Sequence, residues 1–493
     1  MLSEDILYLS VHELGEQIRS RKISPFDLTE SYMARLEKLG PKLGAVATLT
    51  PDLALEQARA VEKEIAAGHS RGPLHGIPYG AKDLLATRGI PTTWGAPPFK
   101  DQMFNYDATL INKLREAGAI LVAKLAMIEL AGGGGYNDGN ASLQGPSRCP
   151  YNLEHWAGGS SSGPGAAVPS ALVGFAIGSE TLGSIITPSA FSGVSGLRPT
   201  YGRVSRHGAM ALSWTMDKLG PMCRSAMDCG LVLNAIAGHD PHDGASRRET
   251  FAWWPPPWSQ GNDSKRAKSL AGKRFGAVRP DFNASGDPEV GAAFDAALDV
   301  LRSLGANLEI MELPDFPYGA VATTLYTAEA ASIFRPFIES GEVNELIDET
   351  QKAGLIAALS LPATDYLDAM RIRAQIQDSV AKLFEKYDAL VAPSRAAPAP
   401  RLDVNFDAPP PPKPGEQKPP ATPPPGAFDK WNVIGMSNIA GLPAISVPCG
   451  FTKEKNLPIG IQFVADALRE DTCIECAIAY QLVTDWNKRR PAL

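Results

Sequence analysis

The sequence predicts an α/β fold built around one large core. From about residue 71 to residue 238, short apolar runs of strand length alternate with stretches of helical periodicity. Glycine-rich and hydroxyl-rich segments are spread over most of the 493 residues, so one large domain accounts for them better than several small ones. The hydrophobic fraction of 44% is ample to fill such a core.

Helical spacing of apolar residues marks residues 11–18, 25–39 and 51–67, so residues 1–70 are expected to form a helical layer on a core spanning 71–490. Residues 77–82 read as a short buried strand ending at Lys82. Residues 165–177 read as a short helix running into an apolar strand, with Pro169 dividing it. Residues 240–270, with Trp253-Trp254-Pro255-Pro256-Pro257-Trp258, read as a surface excursion. A strand is expected within 270–278 and a helix-rich block over 288–387. The loop 393–430 is proline-rich from Pro409 to Pro425, where each proline fixes φ and removes a donor; it is expected to be extended, either as an entrance rim or as a polyproline insert that docks a partner. Residues 471–486 read as an amphipathic helix.

Composition narrows the function classes. A net charge of −7 with no long basic run disfavours nucleic-acid binding. The longest apolar stretch, residues 166–177, is too short and interrupted to span a membrane, and the amino terminus lacks a signal-peptide pattern, so a cytoplasmic location is the default expectation. Six cysteines in so long a chain make no disulfide framework. Cys149, Cys223, Cys229 and Cys449 lack metal-ligand spacing, and the pair Cys473 and Cys476 has no second pair to complete a zinc site. No metal and no cofactor is expected. The seven histidines are scattered, and no nucleophile elbow supports a Ser-His-Asp triad.

Three segments carry candidate chemistry. Lys82 ends the run Leu74-His75-Gly76-Ile77-Pro78-Tyr79-Gly80-Ala81-Lys82-Asp83. Ser160 lies in Gly158-Gly159-Ser160-Ser161-Ser162-Gly163, and Ser184 ends Glu180-Thr181-Leu182-Gly183-Ser184. A serine hydroxyl attacks a carbonyl only when a base takes its proton, and lysine is that base only when burial holds it neutral. Strand alternation turns Asp83 to the face opposite Lys82. The turn at 180–184 fixes consecutive N–H groups on one side, where they can stabilise an oxyanion. Each segment alone has a plainer reading: a strand-end lysine paired to an acid, a flexible or phosphate-cradling glycine loop, an ordinary turn.

Taken together and in this order, the segments resemble the amidase signature family, whose pattern is a lysine after His-Gly-Ile-Pro, then Gly-Gly-Ser-Ser, then Thr-Gly-Gly-Ser-Ile. Further echoes are Gly193-Val194-Ser195-Gly196-Leu197-Arg198-Pro199-Thr200, Asp217-Lys218-Leu219-Gly220-Pro221, residues 441–448 and residues 457–462, so the resemblance covers roughly residues 5–490. It implies the amidase-signature fold, a large mixed central β-sheet covered by helices on both faces. It also implies Ser184 as nucleophile, Ser160 in a cis peptide as relay, Lys82 as base, and the backbone N–H groups of Thr181, Leu182, Gly183 and Ser184 as oxyanion hole. The implied reaction cleaves an amide or anilide bond through an acyl-enzyme. Hydrolysis of a carbamate (urethane) or an ester by the same route is an alternative, as is the glutamine-hydrolysing A subunit of a tRNA-dependent amidotransferase; a catalytically silent binding scaffold is disfavoured because all three catalytic positions are present. The expected partner is a small-molecule amide or carbamate, acted on by a monomer or homodimer.

Two departures bear on the substrate. Leu182 stands where the family often has glycine, and a positive φ there would strain the turn. Ile186 replaces an arginine, and isoleucine cannot grip a substrate carboxylate, which argues against glutamine or malonamate. The segment Ala126-Met127-Ile128-Glu129-Leu130-Ala131 is one that lines the family's substrate channel. It runs into Gly132, Gly133, Gly134 and Gly135 followed by Tyr136; with Met127 and Ile186 these are the expected walls of a roomy, apolar acyl pocket, though the glycine run also reads as a flexible loop.

Overall fold

Eleven strands form one mixed sheet in a computed structural model that describes residues 1–136, 138–260, 268–282, 286–406 and 429–493. They are β1 (Val46–Leu49), β2 (Pro78–Lys82), β3 (Ile120–Leu125), β4 (Phe175–Glu180), β5 (Ser195–Arg198), β6 (Lys218–Cys223), β7 (Arg274–Val278), β8 (Asn307–Met311), β9 (Ala389–Pro393), β10 (Ala444–Phe451) and β11 (Pro458–Val464). The spatial order is β1-β3-β2-β4-β6-β5-β10-β11-β9-β7-β8. β2 runs parallel to β3 and β4, and β7 runs parallel to β8 and β9; the remaining neighbours are antiparallel.

Every residue of β2, β3, β4, β5, β6, β9 and β11 is buried. A strand buried on both sides needs cover on both faces, which explains why these segments read as continuous apolar runs rather than alternations. Helices supply that cover, among them Ile186–Ser192, Ala226–Ile236, Pro288–Ser303 and Glu470–Gln481.

The amino-terminal helices are Val11–Arg19, Pro25–Leu43 and Pro51–Ala66. Ser10 and Glu13 form a capping box on the first. Ser24 caps the second, where Pro25 takes the first-turn position that needs no N–H, and Gly44 (φ 59) ends it. Residues 1–70 are not helical throughout, because Val46–Leu49 pairs with β3 at the sheet edge. A strand this short, set between Gly44 and Pro51, is too brief to show a period. The same reason hides β8 within the helix-rich block, where Ala363–Lys386 is the longest helix.

The segment 240–270 is partly anchored rather than wholly a surface excursion. Trp253 is buried against Gly230, where a Cβ would collide with its ring, and its backbone N–H donates to Asn234 Oδ1 at 2.9 Å. The proline-rich stretch from Pro409 to Pro425 lies outside the described residues. All six cysteines are free and buried; Cys473 and Cys476 sit on Glu470–Gln481. Among the described residues, no helix is long and apolar enough to cross a membrane, and no cluster of three or more histidine, cysteine or acidic side chains is placed to hold a metal.

The adjacent parallel strands β2 and β4 pair as far as Ala81 with Ile177 and end toward the same edge of the sheet, β2 at Lys82 and β4 farther on at Glu180. The carboxyl ends of parallel strands are where α/β sheets present loops to ligands.

Candidate active site

Lys82 is fully buried, and its hydrogen-bond partners among the described residues are three hydroxyls: Ser160 Oγ at 2.7 Å, Ser179 Oγ at 2.9 Å and Ser161 Oγ at 3.1 Å. With none of these a carboxylate, desolvation dominates and pulls its pKa down to about 7, against weaker upward pulls from Asp217 and Glu180. A neutral amine has two N–H donors and one lone pair, which matches three hydroxyl neighbours. The Ser161 hydroxyl already donates to the Ser179 carbonyl at 3.1 Å, so the lone pair is left for Ser160 or Ser179. Asp83 faces away, as strand alternation requires. Its carboxylate takes Lys124 Nζ at 3.0 Å and the N–H and hydroxyl of Thr93 at 2.9 and 2.5 Å.

The Gly159–Ser160 peptide is cis. Ser161 N–H donates to the Ser184 carbonyl at 3.3 Å, which brings the glycine-serine loop against the turn that follows β4. Ser184 is half-buried, whereas Ser160 and Ser161 are fully buried. The positive φ of this turn falls on Gly183 (φ 91), and Leu182 is not in the left-handed region, so leucine costs the turn no backbone strain. Among the described residues, the N–H groups of Leu182, Gly183 and Ser184 have no protein acceptor. The Thr181 hydroxyl is held by Asp217 at 2.5 Å.

The profile of the family described as Amidase matches residues 27–474. The chain belongs to the amidase signature family. The A subunit of the glutamyl-tRNA(Gln) amidotransferase of Moorella thermoacetica is 36% identical over 99% of both chains. The native peptide amidase of Stenotrophomonas maltophilia has the same fold with a TM-score of 0.79 and 29% identity over 98% of both chains. A bacterial aryl acylamidase of the amidase signature family superposes with a TM-score of 0.82 at 25% identity, over 98% of this chain and 97% of that one.

In this member of the amidase signature family the turn is held from below by a buried network whose contacts the motifs do not reveal. Glu180 Oε1 accepts from Arg198 Nη1 and Asn438 Nδ2, each at 2.8 Å. Glu180 Oε2 accepts from Ile185 N–H at 2.8 Å and Ile186 N–H at 2.9 Å, and Lys218 Nζ donates to Asn438 Oδ1 at 2.7 Å. Although burial opposes the charge, Arg198 and Lys218 hold the Glu180 carboxyl below its ordinary range. Ser179 and Asn438 lie outside the quoted motifs, and Ser161, Glu180, Arg198 and Lys218 lie within them without an assigned role. No spacing rule reveals them, because each acts only once β2 pairs with β4 and residues 434–438 fold under the turn.

The expected acyl pocket is built differently. Met127 is fully buried in the core, and Ile186 is buried at the first turn of its helix, in an apolar cluster that Leu182 and Ile434 join. The glycines do not leave open volume: a Cβ at Gly132 would lie 2.5 Å from the Tyr136 ring and one at Gly133 2.9 Å from Leu212, while Gly134 packs on the Gln351 backbone. Only Gly135 of the four is open. They allow close packing, and Tyr136 turns its ring edge-on to Trp156 at 5.8 Å. Open volume lies instead beside Leu182, in a cavity of about 390 Å3 whose walls include Ala322, Trp431, Val433 and Ile434.

Proposed function

We propose that this protein is a serine amidohydrolase that cleaves the C–N bond of a linear amide or anilide through an acyl-enzyme on Ser184. The observation that carries the reading is Lys82, buried, bonded to hydroxyls alone among the described residues and 2.7 Å from Ser160. Neutral Lys82 takes the Ser160 proton while Ser160 takes that of Ser184, whose Oγ attacks the carbonyl carbon. The N–H groups of Thr181, Leu182, Gly183 and Ser184 stabilise the oxyanion. The leaving nitrogen is protonated through Ser160, and water then releases the acid by the reverse relay. The apolar side chains of Leu182, Ala322, Val433 and Ile434 in the cavity beside the turn support an apolar acyl side. On this reading the chain acts alone, as a monomer or homodimer, on a small molecule.

A second reading is favoured by the relatives named as A subunits of glutamyl-tRNA(Gln) amidotransferases. On it the amide is glutamine, and the ammonia passes to a partner protein for transfer to the tRNA-bound acid. One feature opposes it: among the described residues no acidic side chain lines the cavity beside Leu182 to receive an α-ammonium group.

Assay of the purified chain against primary amides, anilides, carbamates, esters and glutamine separates the readings. Turnover of apolar amides, lost in Ser184→Ala with the fold intact, is expected. Glutamine as the only amide cleaved, together with co-purification of partner proteins, would favour the second reading, and undiminished turnover by Ser184→Ala would exclude both.

A further inference from the structure

The cavity beside Leu182 has a mixed lining, with Ala322, Trp431, Val433 and Ile434 among its apolar walls and Ser394, Arg395, Asn432 and Gln462 among its polar ones. Arg395 leaves the end of β9, is exposed at the cavity wall, and among the described residues donates no hydrogen bond and joins no ion pair. No aspartate or glutamate among the described residues lines the cavity. Gln462, 1% exposed in the same wall, holds its Nε2 on the Pro393 carbonyl at 3.2 Å and leaves its buried Oε1 without a partner among the described residues. A buried acceptor without a donor is costly unless something completes it, and an arginine fork without an anion is matched to a carboxylate.

We propose that this cavity takes an apolar chain ending in a carboxylate, and that Arg395 is the specificity-determining residue that pairs with it. The proposal rests on the hydrolase reading, and names the substrate class as monoamides of dicarboxylic acids whose spacer is apolar. Arg395 supplies the cation that isoleucine at position 186 does not. The spacer packs on Leu182, Trp431 and Ile434, the carboxylate meets Arg395, and a water carried with the carboxylate donates to Gln462 Oε1.

Calorimetric binding to the full-length Ser184→Ala protein tests this with adipamic acid, a six-carbon monoamide ending in a carboxylate, against hexanamide of equal length. Adipamate is expected to bind at least about tenfold more tightly, and added Arg395→Ala should remove most of that difference while hexanamide stays within about twofold. Because Arg395 makes no hydrogen bond or ion pair with the described residues, the variant should melt as the parent does. Equal affinities, no binding of adipamate, or equal loss for both ligands in Arg395→Ala would overturn the proposal. Hydrolysis by the native chain is scored separately. Arg395-dependent binding without turnover would sink the hydrolase reading and leave this site standing, whereas turnover indifferent to Arg395 would do the reverse.

Discussion

Lys82 Nζ stands 2.7 Å from Ser160 Oγ with only hydroxyls as hydrogen-bond partners among the described residues, so burial without a carboxylate partner lowers its pKa to about 7 and the neutral amine prevails above that pH. If Lys82 is the base, the rate should follow its deprotonation. Activity should rise with pH through about 7 and level off above it, falling roughly tenfold per pH unit on the acid side. A profile of kcat/KM from pH 5 to 9 checks this, and Lys82→Ala should lose the rise together with the rate. Stability should move the same way. The unfolded lysine holds its proton up to about 10.4, so between about 7 and that value the unfolded state binds more protons and stability increases with pH.

The neighbouring Asp83 is kept from Lys82 by Lys124. The two form a fully buried pair at 3.0 Å, and Thr93 donates twice to the same carboxylate. Asp83→Asn removes the partner of a buried cation and should destabilise the protein by roughly 3–5 kcal/mol, the usual cost of breaking such a pair. Urea unfolding at neutral pH measures it. If the cost were under about 1 kcal/mol, the pair would not be carrying its charges as the geometry implies.

Much of this arrangement is legible in the chain. The run 77–82 declares a buried strand because burial on both faces leaves no alternation, and Gly183 marks a turn because its φ of 91 suits glycine. What cannot be read is what depends on partners distant in sequence. Glu180 looks like an ordinary strand-end acid until Arg198 and Asn438 arrive, 18 and 258 residues away. The glycines at 132–134 look like vacant volume, but close approach of Tyr136, Leu212 and the Gln351 backbone fills it. Absence of a side chain shows that something comes near, not that space remains.

Gly183 tests the oxyanion turn. A Cβ there would lie 3.2 Å from Thr187 Oγ1, and the left-handed backbone costs an L-residue about 1–2 kcal/mol. Gly183→Ala should therefore lower stability by about that amount. It should lower kcat more than it changes KM, because displaced N–H groups lose the transition state rather than the ground state. Steady-state kinetics on one amide substrate separates the two parameters; a change in KM alone would remove this turn from the oxyanion hole.

Glu180 carries the most bonds beneath the turn, and its replacement by glutamine tests whether charge or shape matters. Both carboxylate oxygens receive two donors, from Arg198 and Asn438 on one side and from the N–H groups of Ile185 and Ile186 on the other. A glutamine must turn its NH2 toward one of these donor pairs, leaving two buried donors unmet and Arg198 without its countercharge. Glu180→Gln should cost roughly 3–5 kcal/mol at neutral pH. The Glu180 carboxyl is held below its ordinary range in the folded protein, so its contribution is full above the unfolded pKa and disappears as pH falls through the folded one. The gap in denaturation midpoint between parent and variant should therefore narrow toward acid pH. A gap independent of pH would mean that packing at this position, not the carboxylate charge, supports the turn.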